Sequence, residues 1–208
     1  MVQSWMEMLI MPVMTHKEGC KGGFHHKCPW WMGYVLLNPL RRIWHNPGRI
    51  LSGLVREGMT VLEVGPGMGF FSLELAHKVG VAGRLVAVDV EQKMLDALEK
   101  RAVRAGLADR IDLRLAGHQG LGITDLVGQV DFVFAFWVVH ELPDEAAFFR
   151  DIMSMLKPGG TMLVSEPAER VGGLQFDDVI QRACDAGLVL KGRPDIPRSR
   201  SVMVEKKG

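Results

Sequence analysis

The 208-residue chain has few cysteines, almost no net charge and no long apolar run, and each shortage excludes a class of protein. Its three cysteines are odd in number and unevenly placed, so they do not form a disulfide framework, and a reducing cytoplasm is the expected location. A formal net charge of +1 gives no support for nucleic acid or a membrane surface as the main partner. No apolar run reaches the length of a membrane span, and the N-terminus lacks the basic region of a signal peptide.

Three alternating glycines are the most informative feature that is present. Gly65, Gly67 and Gly69 follow the apolar run 61–64 and precede a helical pattern. Glycines let the backbone turn tightly and approach a ligand, and the following helix offers free N–H groups. A second apolar run ends in Asp89, twenty residues after Gly69, where a carboxylate at a strand tip can accept hydrogen bonds from both hydroxyls of a ribose. Together the two features predict a nucleoside site.

The glycine spacing argues against two common nucleotide motifs. The dinucleotide fingerprint G-x-G-x-x-G requires its third glycine at the position of Phe70. A P-loop requires a Lys-Ser or Lys-Thr pair after the glycines, and none follows here. Glu63, two residues before Gly65, is expected to add a negative charge at the strand end. That charge suits a ligand with an amino group or a sulfonium better than one with phosphates.

Four ordered elements of the chain resemble the class I S-adenosylmethionine-dependent methyltransferases. They recur in that family in the same order, and here they cover about three quarters of the chain, from near Asn46 to the end. Among subfamilies, the chain is similar to the small-molecule methyltransferases of the quinone-biosynthesis type. The four elements are the glycine loop Glu63-x-Gly65-x-Gly67-x-Gly69, Asp89, the strand 130–136 with His140-Glu141-Leu142, and the segment 156–164 that begins Leu-Lys-Pro-Gly-Gly.

The resemblance and the alternation of strand and helix patterns imply an α/β fold. We expect a Rossmann-like, doubly wound, seven-stranded, mostly parallel sheet with an antiparallel last strand. Residues 46–208 would form the S-adenosylmethionine-binding methyltransferase domain, and residues 1–45 an N-terminal helical or irregular lid. The strands are expected at 60–64, 85–89, 111–115, 130–136, 161–165, 189–192 and 201–205, and the main helices at 70–79, 91–105, 144–156 and 176–186.

The resemblance also implies which residues would bind S-adenosyl-L-methionine, the expected cofactor. Ligands of open α/β sheets bind beyond the carboxyl ends of the strands. There the glycine loop would border the methionine part, Asp89 would hold the ribose, and Phe136 and Trp137 would lie under the sulfonium. The full expected set is Glu63, Gly65, Pro66, Gly67, Gly69, Phe70, Asp89, Val90, Met94, Gly117, His118, Phe136 and Trp137.

Several of these residues have alternative interpretations. Many relatives carry an aspartate after a glycine at the end of strand three, whereas this chain has His118, so either its ring or the backbone would contact the adenine amino group. Asp89 would alternatively cap the helix that begins near residue 91. Phe134, Phe136 and Trp137 would alternatively fill the core.

The expected reaction is an in-line displacement, in which alignment and exclusion of water matter more than covalent catalysis. An acceptor that has to lose a proton needs a base. His140 and Glu166 are the first candidates, and Glu141 and His16 are further candidates. His140 would alternatively bond the backbone at the helix entry. The expected acceptor is a small molecule bound by a monomer or homodimer. An RNA or protein methyltransferase and a non-catalytic S-adenosylmethionine-binding module remain as alternatives.

The first forty-five residues are the most individual part of the chain. Cys28, Trp30, Trp31 and Tyr34 are expected to form a lid that excludes water from the methyl-transfer site. Ordinary packing against the sheet edge is the alternative. A zinc shell is not expected, because the spacing Cys-x4-His-His-x-Cys matches no common arrangement. Its ligands would be drawn from His16, Cys20, His25, His26 and Cys28.

Overall fold

The computed structural model describes residues 37–117 and 121–208, and seven strands in these ranges form one sheet. Strands β1 to β5 pair in parallel, and β7 is antiparallel to both β5 and β6. Their order is β3-β2-β1-β4-β5-β7-β6, which confirms the expected doubly wound sheet with an antiparallel last strand. The strands are β1 (Thr60–Val64), β2 (Arg84–Asp89), β3 (Ile111–Leu115), β4 (Val130–Phe136), β5 (Leu156–Pro167), β6 (Leu188–Gly192) and β7 (Ser199–Lys206).

Helices cover both faces of the sheet, as its continuous apolar strands require. Two of their N-termini are capped as the sequence indicates: Asp144 accepts from the N–H of Ala147 at 2.8 Å, and Asn46 accepts from that of Arg49 at 3.2 Å. The helices are α1 (Pro47–Ile50), α2 (Ser72–Val79), α3 (Gln92–Arg104), α4 (Glu145–Met155) and α5 (Gly173–Asp185), and a 3₁₀ helix spans Pro39–Ile43. Among the described residues, none of these helices is long and apolar enough to cross a bilayer.

Strand alternation divides the core into two apolar clusters. Leu62 and Val64 face the cluster that includes Phe149 of α4, whereas Val61 faces the cluster on the other side. Phe134 belongs to this second cluster and is 1 % exposed, so it fills the core.

Strand β5 begins at Leu156, five residues earlier than the sequence predicts. The preceding helix does end before Lys157-Pro158-Gly159-Gly160, as expected. That segment is part of the strand and not a loop, because Leu156 already pairs with Val130. The register then shifts before Thr161 pairs with Phe132. The proline and glycines therefore lie in a bulge of the strand, where an irregular backbone is tolerated.

The strand order places the switch point of the sheet between β1 and β4. The chain runs outward from β1 to β3 and then returns to pair β4 with the other side of β1. Connections on either side of such a point diverge and leave a crevice at the carboxyl ends of the strands. The glycine loop and the segment after β4 both lie at this edge.

Candidate functional site

The turn after β1 is built from three glycines in the left-handed backbone region. Gly65, Gly67 and Gly69 have φ of 68°, 54° and 83°. A Cβ at Gly65 would come within 2.7 Å of Val138 Cγ2, and one at Gly69 would overlap Leu98 Cδ1. Among the described residues, a Cβ at Gly67 would meet nothing within 4 Å. Packing therefore requires glycine at the first and third positions, whereas Gly67 faces open space from which a ligand can approach the backbone.

Backbone hydrogen bonds hold this turn in place. Gly65 N donates to Val88 O at 2.9 Å, which joins the turn to β2. Gly69 N donates to the carbonyl of Pro66, a buried residue, at 3.0 Å. The turn is thus formed before any ligand arrives.

Asp89 ends β2 and links that strand to the glycine turn. Its Oδ2 accepts from Gly67 N at 3.1 Å, and its Oδ1 accepts from Glu91 N at 3.0 Å. Burial is the main cause that raises the pKa of Asp89, and the backbone hydrogen bonds act in the opposite direction. The N-cap of α3 is Glu91, so Asp89 does not occupy the cap position. Its carboxylate lies beside the open side of the turn.

Glu63 is buried in β1, directly before the turn. It is 2 % exposed, and burial raises its pKa from 4.5 to about 8. The Ser72 hydroxyl lowers this pKa and the Asp89 charge raises it. Among the described residues, Glu63 Oε2 has no hydrogen-bond partner. Burial therefore favours the protonated form of Glu63 and opposes the fixed negative charge expected from the sequence.

Four aromatic rings lie around the guanidinium of Arg41, which belongs to the 3₁₀ helix Pro39–Ile43. Its Cζ is 4.6 Å from the ring centroid of Phe70, 5.0 Å from that of Trp137 and 5.7 Å from those of Phe71 and Phe136. Burial lowers the pKa of Arg41 to about 10, so the side chain stays charged at neutral pH. The faces of these rings stabilise a cation beside the glycine turn.

Trp137 follows β4 with a φ of 61°, a conformation that is strained for a bulky residue. Its backbone N donates to Ser165 O at 2.7 Å, and its indole Nε1 donates to Ser199 Oγ at 3.0 Å. The ring of His45 meets it edge-on at 4.9 Å. These contacts hold the strained residue at the carboxyl edge of the sheet.

His140 lies in a 3₁₀ turn shortly after β4, and its ring is held by Glu166. Its Nδ1 contacts the Glu166 carboxylate, which is fully buried and also accepts from Val139 N at 2.8 Å. A carboxylate can only accept, so Nδ1 carries the hydrogen. Nε2 is buried without a hydrogen-bond partner among the described residues and lies 3.8 Å from Glu141 Oε1. The expected alternative, a ring bonded to the backbone, is wrong, because the partner is a side chain.

Glu141 interacts electrostatically with the His140–Glu166 pair and with Asp89. Burial is the main cause that raises its pKa, and the charge of Asp89 is near enough to contribute. Val138, whose side chain packs against Gly65, begins the same turn. The elements after β1, β2 and β4 therefore meet at one edge of the sheet.

Comparisons with known proteins agree with this geometry. A family model described as a methyltransferase domain matches residues 62–164, about half of the chain. The chain belongs to the class I S-adenosylmethionine-dependent methyltransferases. Membership of this family implies S-adenosyl-L-methionine as the cofactor.

The relatives of this methyltransferase include quinone-biosynthesis enzymes. It is 28% identical over 149 residues to the ubiquinone/menaquinone biosynthesis C-methyltransferase UbiE of Pseudomonas putida, across 70% of this chain and 57% of that protein. It thus spans less than two thirds of the length of that relative. A methyltransferase from Aquifex aeolicus has the same fold with a TM-score of 0.76 at 22% identity, covering 86% of this chain and 99% of that one. An O-methyltransferase from Thermotoga maritima has a TM-score of 0.60 at 18% sequence identity, and the match covers 78% of this chain and 65% of that one.

The described residues of this methyltransferase fit a cationic nucleoside such as the cofactor. The turn is open at Gly67, Asp89 lies next to it, and a buried carboxyl oxygen of Glu63 lacks a partner in the described part of the chain.

The remaining expected cofactor residues follow the second and third strands. Val90 is partly exposed beside Asp89, and Met94 is buried on the inner face of α3. Gly117 is exposed just after β3, and Ala116 N donates to Asp89 O at 2.8 Å, which brings the two strand ends together.

Some expected residues lie outside the described residues. These are His118, the lid residues Cys28, Trp30, Trp31 and Tyr34, and the metal candidates His16, Cys20, His25, His26 and Cys28. Within residues 37–117 and 121–208, no cluster of three or more His, Cys, Asp or Glu side chains is placed to hold a metal ion.

Sequence reasoning missed Arg41, Ser72 and Val138 as neighbours of the site. Arg41 contacts the rings only after the chain folds back from residue 41 to residue 137. Ser72 lies on the helix that follows the glycines, so a helical projection of residues 72–79 would have placed its hydroxyl toward β1.

Proposed function

We propose that the chain transfers the methyl group of S-adenosyl-L-methionine to a small-molecule acceptor. The observation that carries the proposal is the open approach to Gly67 beside Asp89, at the switch point of the sheet. When bound, the cofactor supplies an electrophilic methyl group on a sulfonium. We also propose a cytoplasmic location, since the few unevenly placed cysteines fit a reducing compartment. A monomeric or homodimeric state is proposed as the simplest assembly.

The glycine turn and Asp89 would hold the nucleoside half. Asp89 has two oxygens at the strand tip, and each already accepts one backbone N–H, which leaves further lone pairs for the ribose hydroxyls. The exposed side of Gly67 would admit the ligand against the backbone. Val90, Met94 and Gly117 would border the adenine, because they follow the ends of β2 and β3.

The aromatic rings would border the sulfonium. Phe70, Phe136 and Trp137 are held rigidly, by ring–ring contacts and by the hydrogen bonds of Trp137. These side chains supply no nucleophile that would compete for the methyl group. They would also exclude water from the cofactor.

His140 would act as the base when the acceptor has to lose a proton, and Glu166 would position it. Glu166 fixes the ring through Nδ1, so the lone pair of Nε2 is the one that can take a proton. Both oxygens of Glu166 are engaged, one by Val139 N and the other by His140 Nδ1, so Glu166 is a positioning residue. Glu141 is the second candidate base, near Nε2.

The C-terminal arginines support a small molecule rather than RNA as the acceptor. Arg193 pairs with Asp177 at 3.3 Å, and Arg198 pairs with Glu169 at 2.6 Å. Arg200 donates to a backbone carbonyl of its own chain. Side chains that are paired internally offer less charge to phosphates.

The test incubates the purified protein with methyl-labelled cofactor and cell extract and searches for a labelled small molecule by mass spectrometry. The name of the Pseudomonas relative makes a quinone precursor the first defined acceptor to add. We expect one labelled product that needs active protein. Label found only in RNA or protein, or in no product despite cofactor binding, would contradict the proposal.

A further inference from the structure

Two strained segments of the chain meet beside the candidate site. Within the described residues, Trp137 and Arg198 are the two non-glycine residues with a positive φ, 61° and 59°. Trp137 follows β4, and Arg198 precedes Ser199, the residue whose Oγ accepts from the indole Nε1 of Trp137 at 3.0 Å. A strained backbone persists only where the surrounding structure holds it, and such strain is concentrated at functional sites. The contact between Trp137 and Ser199 is therefore a candidate for a functional role.

The turn 196–199, which leads into β7, is held by contacts that do not involve Trp137. Ser199 N donates to Ile196 O at 3.1 Å, and Ile196 is buried in the apolar cluster on the Val61 side of the sheet. Arg198 O accepts from Ala168 N, in the segment after β5, at 3.0 Å. The Ser199 hydroxyl is thus presented to the indole by a support that is fixed on its own.

His45 gives the same turn a second hold on Trp137. Its ring is 2 % exposed, and its Nε2 lies 2.8 Å from Pro197 O. A carbonyl can only accept, so Nε2 carries the hydrogen. The ring, fixed in this way, meets the indole edge-on, with 4.9 Å between the centroids and an interplanar angle of 86°.

The hydrogen bond to Ser199 decides which way the indole lies. The χ2 torsion of tryptophan is broad, with roughly two-fold wells, so the backbone alone does not fix the orientation of the ring. Phe136 stacks on the indole at 5.5 Å, and Arg41 lies 5.0 Å from its centroid. Both are contacts of the ring faces, which do not select the position of Nε1. A partly buried indole N–H needs a partner, and Ser199 is the partner it has.

We infer that Ser199 is a positioning residue for methyl transfer: its hydroxyl sets the indole of Trp137 in the orientation that the reaction uses. The inference rests on the proposed function, in which Trp137 borders the sulfonium and excludes water. An indole that turns away from Ser199 no longer forms the same wall, so alignment with the acceptor is lost while the nucleoside half of the cofactor stays bound. The effect is therefore expected on kcat and not on KM for the cofactor.

The experiment measures transfer of labelled methyl from S-adenosylmethionine into the small-molecule product formed with cell extract, at a fixed amount of extract and varied cofactor. Four variants are compared with wild type. Ser199→Ala removes the acceptor of the hydrogen bond, Ser199→Thr keeps the hydroxyl, Trp137→Phe removes the indole N–H, and the fourth combines Ser199→Ala with Trp137→Phe. Ser201→Ala is the matched control, because Ser201, also on β7, makes a hydrogen bond of the same length, 3.0 Å, to Ser165 Oγ.

We expect Ser199→Ala to lower the apparent kcat at least about fivefold and to change KM for S-adenosylmethionine less than about twofold. Ser199→Thr should restore most of kcat, and Ser201→Ala should match wild type. Added to Trp137→Phe, Ser199→Ala should have no further effect, because no N–H remains to be held. An unchanged kcat in Ser199→Ala, an equal fall in Ser201→Ala, or a full further fall on top of Trp137→Phe overturns the inference.

NMR of protein labelled with ¹⁵N-tryptophan gives a readout that needs no acceptor. The indole N–H signal of Trp137 is the one that Trp137→Phe removes. Its exchange with solvent should be about fivefold faster in Ser199→Ala than in wild type and in Ser201→Ala, since the net effect of one side-chain hydrogen bond is about that factor. Equal exchange in wild type and Ser199→Ala would show that the bond does not hold the ring, and would overturn the inference.

Failure of the inference and failure of the proposed function give different results. A wild-type protein that forms the labelled product, with the same kcat in Ser199→Ala, overturns the inference alone. A folded wild-type protein that binds no S-adenosylmethionine and forms no product overturns the proposed function, and the inference with it.

Discussion

Replacing Gly67 by alanine separates the ligand role of the glycine turn from its role in folding. A non-glycine residue in the left-handed region costs about 1 kcal/mol. Because a Cβ at Gly67 meets nothing within 4 Å in the part of the chain that the structure describes, we expect no packing cost to add to that value. Gly106→Ala is the matched control, since Gly106 has a φ of 67°, is equally open and lies at the end of α3. Both variants should lose about 1 kcal/mol of unfolding free energy in urea.

The two variants should differ in cofactor binding. The methyl group of Gly67→Ala would project into the space from which the ligand approaches, so we expect its affinity for S-adenosylmethionine to fall at least about tenfold, or about 1.4 kcal/mol. Gly106→Ala should bind like wild type. The neighbouring variants Gly65→Ala and Gly69→Ala add overlap with Val138 and Leu98, and should cost about 2–5 kcal/mol of stability. Equal Kd values for Gly67→Ala and Gly106→Ala in calorimetry would refute the ligand role of the open glycine.

Three other predictions concern acidic and imidazole side chains near the site. Glu63 has a folded pKa above its unfolded value of 4.5, so ionising it destabilises the folded protein. The free energy of unfolding should therefore fall by up to about 5 kcal/mol as pH rises from 4.5 to 8, and urea unfolding of Glu63→Gln should not show this fall. Burial chiefly lowers the pKa of His45 to about 4, so the neutral ring contributes up to about 3 kcal/mol to the free energy of unfolding above pH 6.5. This contribution is lost as pH falls toward 4. His45→Gln should remove this loss, and an unchanged loss of stability in acid would contradict the prediction. His140→Gln should lower kcat about 100-fold or more when the acceptor has to lose a proton, whereas Glu166→Gln, which changes only the group that holds the ring, should retain part of kcat; an unchanged kcat in both variants would exclude the pair from proton transfer.

The parts of the fold that follow local patterns could be predicted from the sequence. The glycines after one apolar run and Asp89 after the next lie together because parallel strands bring their carboxyl ends to one edge. The early start of β5 could not be predicted, since Pro158 and the following glycines read as a stop rather than as a bulge within a pairing strand.

The chemistry of the site depended more on long-range packing. The raised pKa of Glu63 follows from its burial and from the nearness of Asp89, and neither is visible in the spacing of residues. Likewise, Arg41 reaches Trp137 only through tertiary contact. The bond of His140 to Glu166 joins residues 26 positions apart, although both were candidates from the sequence.

Calorimetric titration of the purified protein with S-adenosylmethionine, and separately with a nicotinamide dinucleotide, tests the central claim most directly. We predict saturable binding of S-adenosylmethionine at one site and no binding of the dinucleotide, since Phe70 stands where a dinucleotide fingerprint has its third glycine. A folded protein that does not bind S-adenosylmethionine at millimolar concentration, or that binds the dinucleotide more tightly, would contradict the assignment of the glycine turn and Asp89 to this cofactor.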